Sequence, residues 1–287
     1  MSKPNLFLDL DNTLLSAVPI EEIKWTEDNR KLACEFPFHN MEDYYLVFER
    51  PGLDEFLDFI FSNFNVSVWS AASKDYVLFI VDKIIRKKPG RNLDYIMFSN
   101  HCDECKKHKR GSIKLLDFLW DKYNLGKFTK ENTFIIDDND IVIKHNPFNS
   151  IHIKEFEFED GKKCKDDREL VQIIPYMQKI KDDYSNQNRL NPDLLFEASS
   201  VKDGPLKKRY RFNSPSSSGT EQKIPDTPLS QDDTSKAPSP LRTPSYGSHK
   251  EDTEEDMENT LQPQILFPSD SKDDTSNIED LHHEKTQ

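Results

Sequence analysis

The stretch Leu6-Phe7-Leu8-Asp9-Leu10-Asp11-Asn12-Thr13-Leu14 decides how the rest of the chain is read. Three apolar residues run without interruption and then meet two carboxylates spaced two apart. A short continuous apolar run fits a strand buried on both faces, as in a parallel sheet. Acids directly after it lie at the strand's carboxyl end, where open parallel sheets present their reactive groups. Residues i and i+2 of an extended segment point the same way, so Asp9 and Asp11 are expected to face one substrate.

The same grammar recurs downstream. Residues 53–64 put Leu53, Phe56, Leu57, Ile60, Phe61 and Phe64 on one helical stripe. Residues 66–69 are the next strand, ending at Ser70, and residues 74–86 the next helix, with Ser73 as its N-cap. Residues 95–98 are a third strand. Residues 112–123 are expected to form a third helix, with Ile113, Leu116, Leu119 and Tyr123 inward and Lys114 near its start. Residues 134–136 are a fourth strand, ending at Asp137-Asp138, and residues 151–153 a short fifth. Asp167 caps a last helix carrying Leu170, Val171, Ile174 and Met177, which Pro175 bends. Alternating strands and helices predict an α/β fold, a Rossmann-like parallel sheet with helices on both faces. Residues 18–49, with Trp25, Phe36, Phe38, Tyr44, Tyr45 and Phe48 between polar turns, read as a β-rich insertion after the first strand.

Composition sets the domain limits. Of 31 aromatic residues only six follow residue 183, whereas ten of the 17 prolines do. A segment that poor in aromatics and rich in Pro, Ser, Thr and charge cannot offset its ordering entropy by burial. One domain over residues 1–183 and a disordered tail over 184–287 are expected. The net charge of −13 disfavours broad contact with nucleic acid or anionic lipid. Cys34, Cys102, Cys105 and Cys164 are too few and scattered for a disulfide scaffold. Asp9 and Asp11 interrupt the first apolar run, so no signal peptide is expected, and no apolar stretch is long enough to span a bilayer. The expectation is a monomeric protein without nucleic-acid or membrane partners, intracellular, in the nucleus or cytoplasm.

Four separated strand and helix tips thus bring two carboxylate pairs, the Ser70 hydroxyl and the Lys114 ammonium to one edge. That set suits phosphoryl transfer through a covalent intermediate. One carboxylate of the Asp9/Asp11 pair attacks phosphorus, and the other protonates the leaving oxygen and then activates water. Mg²⁺, held by Asp9 and Asp138, offsets the repulsion between carboxylate and phosphate. Lys114 adds positive charge, and Ser70 donates a hydrogen bond to a phosphate oxygen.

Asp9-Leu10-Asp11-Asn12-Thr13-Leu14 resembles the DxDxT signature of the small C-terminal-domain phosphatases, the NLI-interacting-factor-like branch of the haloacid dehalogenase superfamily. Arg50-Pro51-Gly52-Leu53-Asp54-Glu55-Phe56-Leu57, Trp69-Ser70-Ala71-Ala72-Ser73-Lys74-Asp75-Tyr76, Ile135-Ile136-Asp137-Asp138 and Asp167-Arg168-Glu169-Leu170 are similar to further segments of that family, in its order. The resemblance implies a Mg²⁺-dependent phosphatase acting on phosphoserine or phosphothreonine in proteins, notably the repeat tail of RNA polymerase II. By it Asp9 is the nucleophile and Asp11 the acid–base, whose backbone carbonyl also reaches the metal. Thr13 completes the motif, and Ser70 stands where the family usually has Thr. Asp138 is a metal ligand, and Asp137, counted with the metal-site acids, positions Lys114. The insertion falls where the family has a small β element that helps shape the peptide groove. Two alternatives stay open: a related phosphatase for nucleotides or nucleic acid ends, and a silent phosphoprotein-binding module.

Other features read two ways. His101, Cys102, Cys105 and His108 have zinc-like spacing, or belong to a polar loop with free thiols. His145 and His152 are expected to be structural. The basic cluster at 207–211 is a nuclear import signal or a solvated charge run. Ser214-Pro215, Thr227-Pro228, Ser239-Pro240 and Thr243-Pro244 are sites for proline-directed kinases or ordinary low-complexity sequence. Phosphorylated, they are also candidate occupants of the chain's own site.

Overall fold

In the computed structural model, which describes residues 2–23, 25–158 and 162–200, the opening apolar run is strand β1 (Asn5–Leu8), buried throughout. The chain turns back through Asn12, at φ 59°, a left-handed conformation that asparagine tolerates better than most residues. It then enters strand β2 (Leu15–Pro19), helix α1 (Glu27–Ala33), and strands β3 (Phe38–Met41) and β4 (Tyr45–Glu49). Helix α2 (Leu53–Asn63), strand β5 (Asn65–Trp69) and helix α3 (Lys74–Ile80) follow, the last continued by a π turn (Val81–Ile85). Strand β6 (Ile96–Met97), helix α4 (Ser99–His108), a second π turn (Phe118–Lys122) and strand β7 (Thr133–Asp137) come next. Helix α5 (Asp140–His145), strand β8 (Ser150–His152) and helices α6 (Lys162–Lys165), α7 (Glu169–Gln187) and α8 (Pro192–Ala198) complete the described chain.

The main sheet has the order β6-β5-β1-β7-β8, parallel at every pairing. Alternation along its strands divides the interior. Leu6 and Leu8, with Val66, Val68, Phe134 and Ile136, face a core that α2, α3 and α7 close through Phe56, Ile60, Val77 and Met177. Phe7, Trp69, Met97 and Ile135 face the other side, against Cys102, Cys105, Leu119 and Phe128. Each fully buried large side chain of this kind contributes roughly 1.5–3 kcal/mol. The expected α/β fold with covered faces is therefore present. The insertion is β-rich as read, an antiparallel sheet in the order β2-β4-β3, but it also holds α1, capped by the Thr26 side chain.

Three elements differ from expectation. No helix spans 112–123. Helix α4 lies earlier, where a polar loop was one reading, and residues 109–117 form a connection ahead of the π turn. Gly111 at φ 78° breaks the helical path, and the Ser112 hydroxyl donates to the carbonyls of Cys105 and Lys109 at the end of α4. Leu115, Leu116, Phe118 and Leu119 are all buried, a crowding that imitates helical periodicity without requiring it. The third strand is cut to two residues. The last helix runs on to Gln187 with Pro175 inside it, so position 183 falls within α7. Beyond it Leu195 and Ala198 of α8 join the core. The basic cluster at 207–211 and the four Ser/Thr-Pro dipeptides lie outside the described residues. Among those described, no helix is long and apolar enough to cross a membrane.

Arg50 ties the far end of the domain to the first loop. It is 1% exposed. Its guanidinium donates to both carboxylate oxygens of Asp167, at 2.9 and 2.8 Å, and to the Thr13 carbonyl at 2.8 Å, while lying over the Phe156 ring.

Candidate active site

Strand register gathers the acids. Leu8 pairs with Ile136, so Asp9 and Asp137, one residue on, are neighbours at the carboxyl edge. They share the parity of Phe7 and Ile135 and therefore turn to that face of the sheet. The loop after α4 crosses this face and delivers Lys114, whose Nζ lies 2.5 Å from Asp9 Oδ1 and 2.8 Å from Asp137 Oδ2. The lysine is 3% exposed. Burial alone would lower its pKa, but the charges of Asp137 and Asp9 overcome that and hold it above its ordinary value. The Asn146 side chain fixes the loop, donating to the Lys114 carbonyl and accepting from the Leu116 amide.

Asp138 is held by Thr13. The Thr13 hydroxyl donates to Asp138 Oδ1 at 2.9 Å and accepts from the Asp138 amide at 3.1 Å. One carboxylate oxygen each from Asp9, Asp137 and Asp138 lies within 4.8 Å of the others. Burial, with the repulsion of Asp9 added, raises the pKa of Asp137 and of Asp138 despite Lys114. Three carboxylates around one ammonium leave excess negative charge in a buried place, which suits a hard divalent cation with oxygen ligands. The donors differ in availability. Asp137 uses Oδ2 on Lys114 and Oδ1 on the Asn139 amide, whereas among the described residues Asp9 and Asp138 each engage Oδ1 and leave Oδ2 without such a bond.

Asp11 stands apart from that trio. The chain has already turned, and its carboxylate accepts a short hydrogen bond from the Tyr76 hydroxyl of α3. Burial pushes its pKa up to about 6; Tyr76 opposes the rise and the charge of Asp9 adds to it. A carboxyl near neutrality is suited to passing protons. Ser70, fully buried at the end of β5, accepts from the Ala72 amide at 3.0 Å. Asp9, Thr13, Lys114, Asp137 and Asp138 are thus gathered at one edge, Asp11 is engaged apart from them by Tyr76, and Ser70 ends the neighbouring strand β5.

Among the described residues, His101, Cys102, Cys105 and His108 do not gather into a group that could share an ion. Cys102 and Cys105 are buried on α4, and burial pushes their thiols up to about 12 and 11. One contributor was missed: Tyr76 was read only as part of a resembling segment. His152, expected to be structural, lies with its Nε2 2.9 Å from the Asp138 carbonyl oxygen.

The family described as NLI interacting factor-like phosphatase matches residues 4–188. The CTD phosphatase-like protein 355R of Invertebrate iridescent virus 6 is 44% identical over 172 residues, covering 59% of this chain and 94% of the relative. Its counterpart in Invertebrate iridescent virus 3 is 36% identical over 184 residues, 62% of this chain and 97% of that protein. A solved structure of the fission yeast RNA polymerase II CTD phosphatase Fcp1 aligns with 67% of this chain and 69% of its own, at 17% identity and a TM-score of 0.44.

Proposed function

This chain belongs to the NLI interacting factor-like phosphatases, and from that premise we propose that it is a Mg²⁺-dependent phosphoserine/phosphothreonine protein phosphatase with Asp9 as nucleophile. The observation that carries the reading is the Asp9–Lys114–Asp137 row beside Asp138 at the carboxyl edge. Asp9 attacks phosphorus, and the ester P–O bond breaks as Asp11 gives its proton to the departing serine or threonine oxygen. Asp11 then takes a proton from the water that attacks the aspartyl phosphate, which releases inorganic phosphate and restores Asp9. Lys114 neutralises charge beside the transferring group, and the Ser70 hydroxyl donates to a phosphate oxygen. Asp9 and Asp138, with the Asp11 carbonyl, are the residues that would hold Mg²⁺. Asp137, both of whose oxygens are engaged, positions Lys114. When bound, Mg²⁺ supplies positive charge that lets a carboxylate approach a phosphate ester.

The names of the viral relatives support a phosphorylated C-terminal domain as substrate; the repeat tail of RNA polymerase II, met in the nucleus or cytoplasm, is the form that the family resemblance implies. Phosphate release from polymerase-tail phosphopeptides, with Mg²⁺ and with chelator, tests the reading. Release is expected only with Mg²⁺. Asp9→Asn is expected to abolish it with the unfolding temperature preserved, and near-normal turnover in that variant refutes the mechanism.

A further inference from the structure

Asp138 is held from two sides. Thr13 takes its amide and its Oδ1, at 3.1 and 2.9 Å. Its carbonyl oxygen meets the His152 ring, with Nε2 2.9 Å away. A carbonyl only accepts, so Nε2 carries the proton and donates. The Asp140 carboxylate lies 3.6 Å from the same nitrogen and is mostly exposed, too distant to compete for that proton. The peptide after Asp138 is gripped at its other end as well, because the Asn139 amide donates to Asp137 Oδ1 at 2.9 Å. The two gripping residues are register partners. His152 pairs with Asp137, which lies beside Asp9 on the next strand, so Asp9, Asp137 and His152 form one row across the parallel sheet.

His152 is itself braced. β8 ends the sheet, so the outward amide and carbonyl of His152 need partners from outside the ladder. The Ser199 hydroxyl, just after α8, accepts from that amide at 3.0 Å, and the Ser200 amide donates to that carbonyl at 3.0 Å. The ring is enclosed and its backbone is fixed before it reaches Asp138. We propose that His152 is a positioning residue for the candidate cation site, its Nε2–H fixing the Asp138 peptide so that the Asp138 carboxylate stays beside those of Asp9 and Asp137. The proposal rests on the phosphatase reading above, in which Asp138 is a metal ligand. A merely structural histidine needs only a buried ring and satisfied nitrogens. Here the proton is spent on the backbone of the very acid offered to the cation. Removing a hydrogen bond that orients a metal ligand typically costs about 10–100-fold in metal affinity or activity.

The test compares full-length wild type with His152→Gln, His152→Asn and His152→Phe. Glutamine puts an amide N–H near the Nε2 position and keeps the donor. Asparagine is polar but one carbon too short, and phenylalanine keeps the ring without the donor. Mg²⁺ alone is titrated by calorimetry, folding is read by thermal unfolding in chelator, and phosphopeptide hydrolysis is followed against Mg²⁺ concentration. The asparagine and phenylalanine variants are expected to bind Mg²⁺ about 10–100-fold more weakly, with the Mg²⁺ concentration for half-maximal rate raised to match. At saturating Mg²⁺ their kcat should return close to the wild-type value, and glutamine should restore affinity throughout. Unchanged affinity in either donorless variant, or a glutamine variant as weak as asparagine, overturns the positioning role; wild-type hydrolysis then leaves the phosphatase reading standing. Failure of both donorless variants to fold in chelator makes His152 a structural residue and overturns the role too. A wild-type chain that neither binds Mg²⁺ nor releases phosphate overturns both readings.

Discussion

Replacing Arg50 with Met tests whether the Thr13 loop is held from the far end of the domain. The guanidinium makes three hydrogen bonds, two to Asp167 and one to the Thr13 carbonyl. It is enclosed, and Asp167 keeps only 10% of its side chain exposed. Removing one partner of a buried ion pair costs about 3–5 kcal/mol because the other charge is stranded. A stranded carbonyl adds about 1–3 kcal/mol. The sum, roughly 4 kcal/mol or more, is a large fraction of the 5–15 kcal/mol that typically separates folded from unfolded domains. Urea unfolding of residues-intact protein, read by linear extrapolation, measures it. Arg50→Lys keeps the charge but loses the fork that spans Asp167 and Thr13, so it should fold, be partly destabilised, and turn over more slowly as Thr13 loosens from Asp138. In the double variant Arg50→Met with Asp167→Leu, the cost should fall short of the sum of the singles by more than about 1 kcal/mol. A loss below about 1 kcal/mol for Arg50→Met, or simple additivity, refutes the reasoning.

Lys114→Met should lower kcat by roughly 10²–10³-fold, the usual effect of removing one electrostatic stabiliser, and Lys114→Arg should not rescue it because the pocket is closed around an ammonium. Tyr76→Phe removes the hydroxyl that favours ionised Asp11. A hydrogen bond to a charged group is worth about 1.5–3 kcal/mol, so the Asp11 pKa should climb from about 6 by roughly one to two units. Asp11 must be protonated to act as acid, so the alkaline decline in phosphoserine hydrolysis should move up by the same amount; a carboxyl NMR titration reads the shift directly, and an unmoved value counts against the assignment. Gly52→Ala should cost about 2–4 kcal/mol, since Gly52 sits at φ 80° and a Cβ there would lie 2.4 Å from Val171 Cγ2. Adding Val171→Ala should relieve the steric part and leave the backbone part, as denaturant unfolding would show.

Why the strands and acids were legible from sequence, and α4 was not, has a physical basis. β1, β5 and β7 are buried on both faces, so their sequences are continuous apolar runs and their ends are marked by the first polar residue. Helix α4 buries His101, Cys102 and Cys105, a stripe whose chemistry looks like metal ligation, while Asp103, Glu104, Lys106 and Lys107 face out. Its low apolarity hid it, and the crowded residues 115–119 took its place in a periodicity reading. Lys114 gains from this correction. On a helix its direction would follow from helical phase. On a loop it is free to cross the sheet face, and it is Asn146 that fixes the crossing. Register accounts for the rest. Motif order brings Asp9 and Asp137 to one edge, but only the pairing of Leu8 with Ile136 and of Asp137 with His152 puts all three in a single row. A slip of one residue in either pairing would turn one member of the row to the opposite face. The buried lysine works against such a slip, because Asp9 and Asp137 can both reach it only in the observed register. The ammonium proposed to stand beside the phosphate thus also holds the strands in the observed alignment.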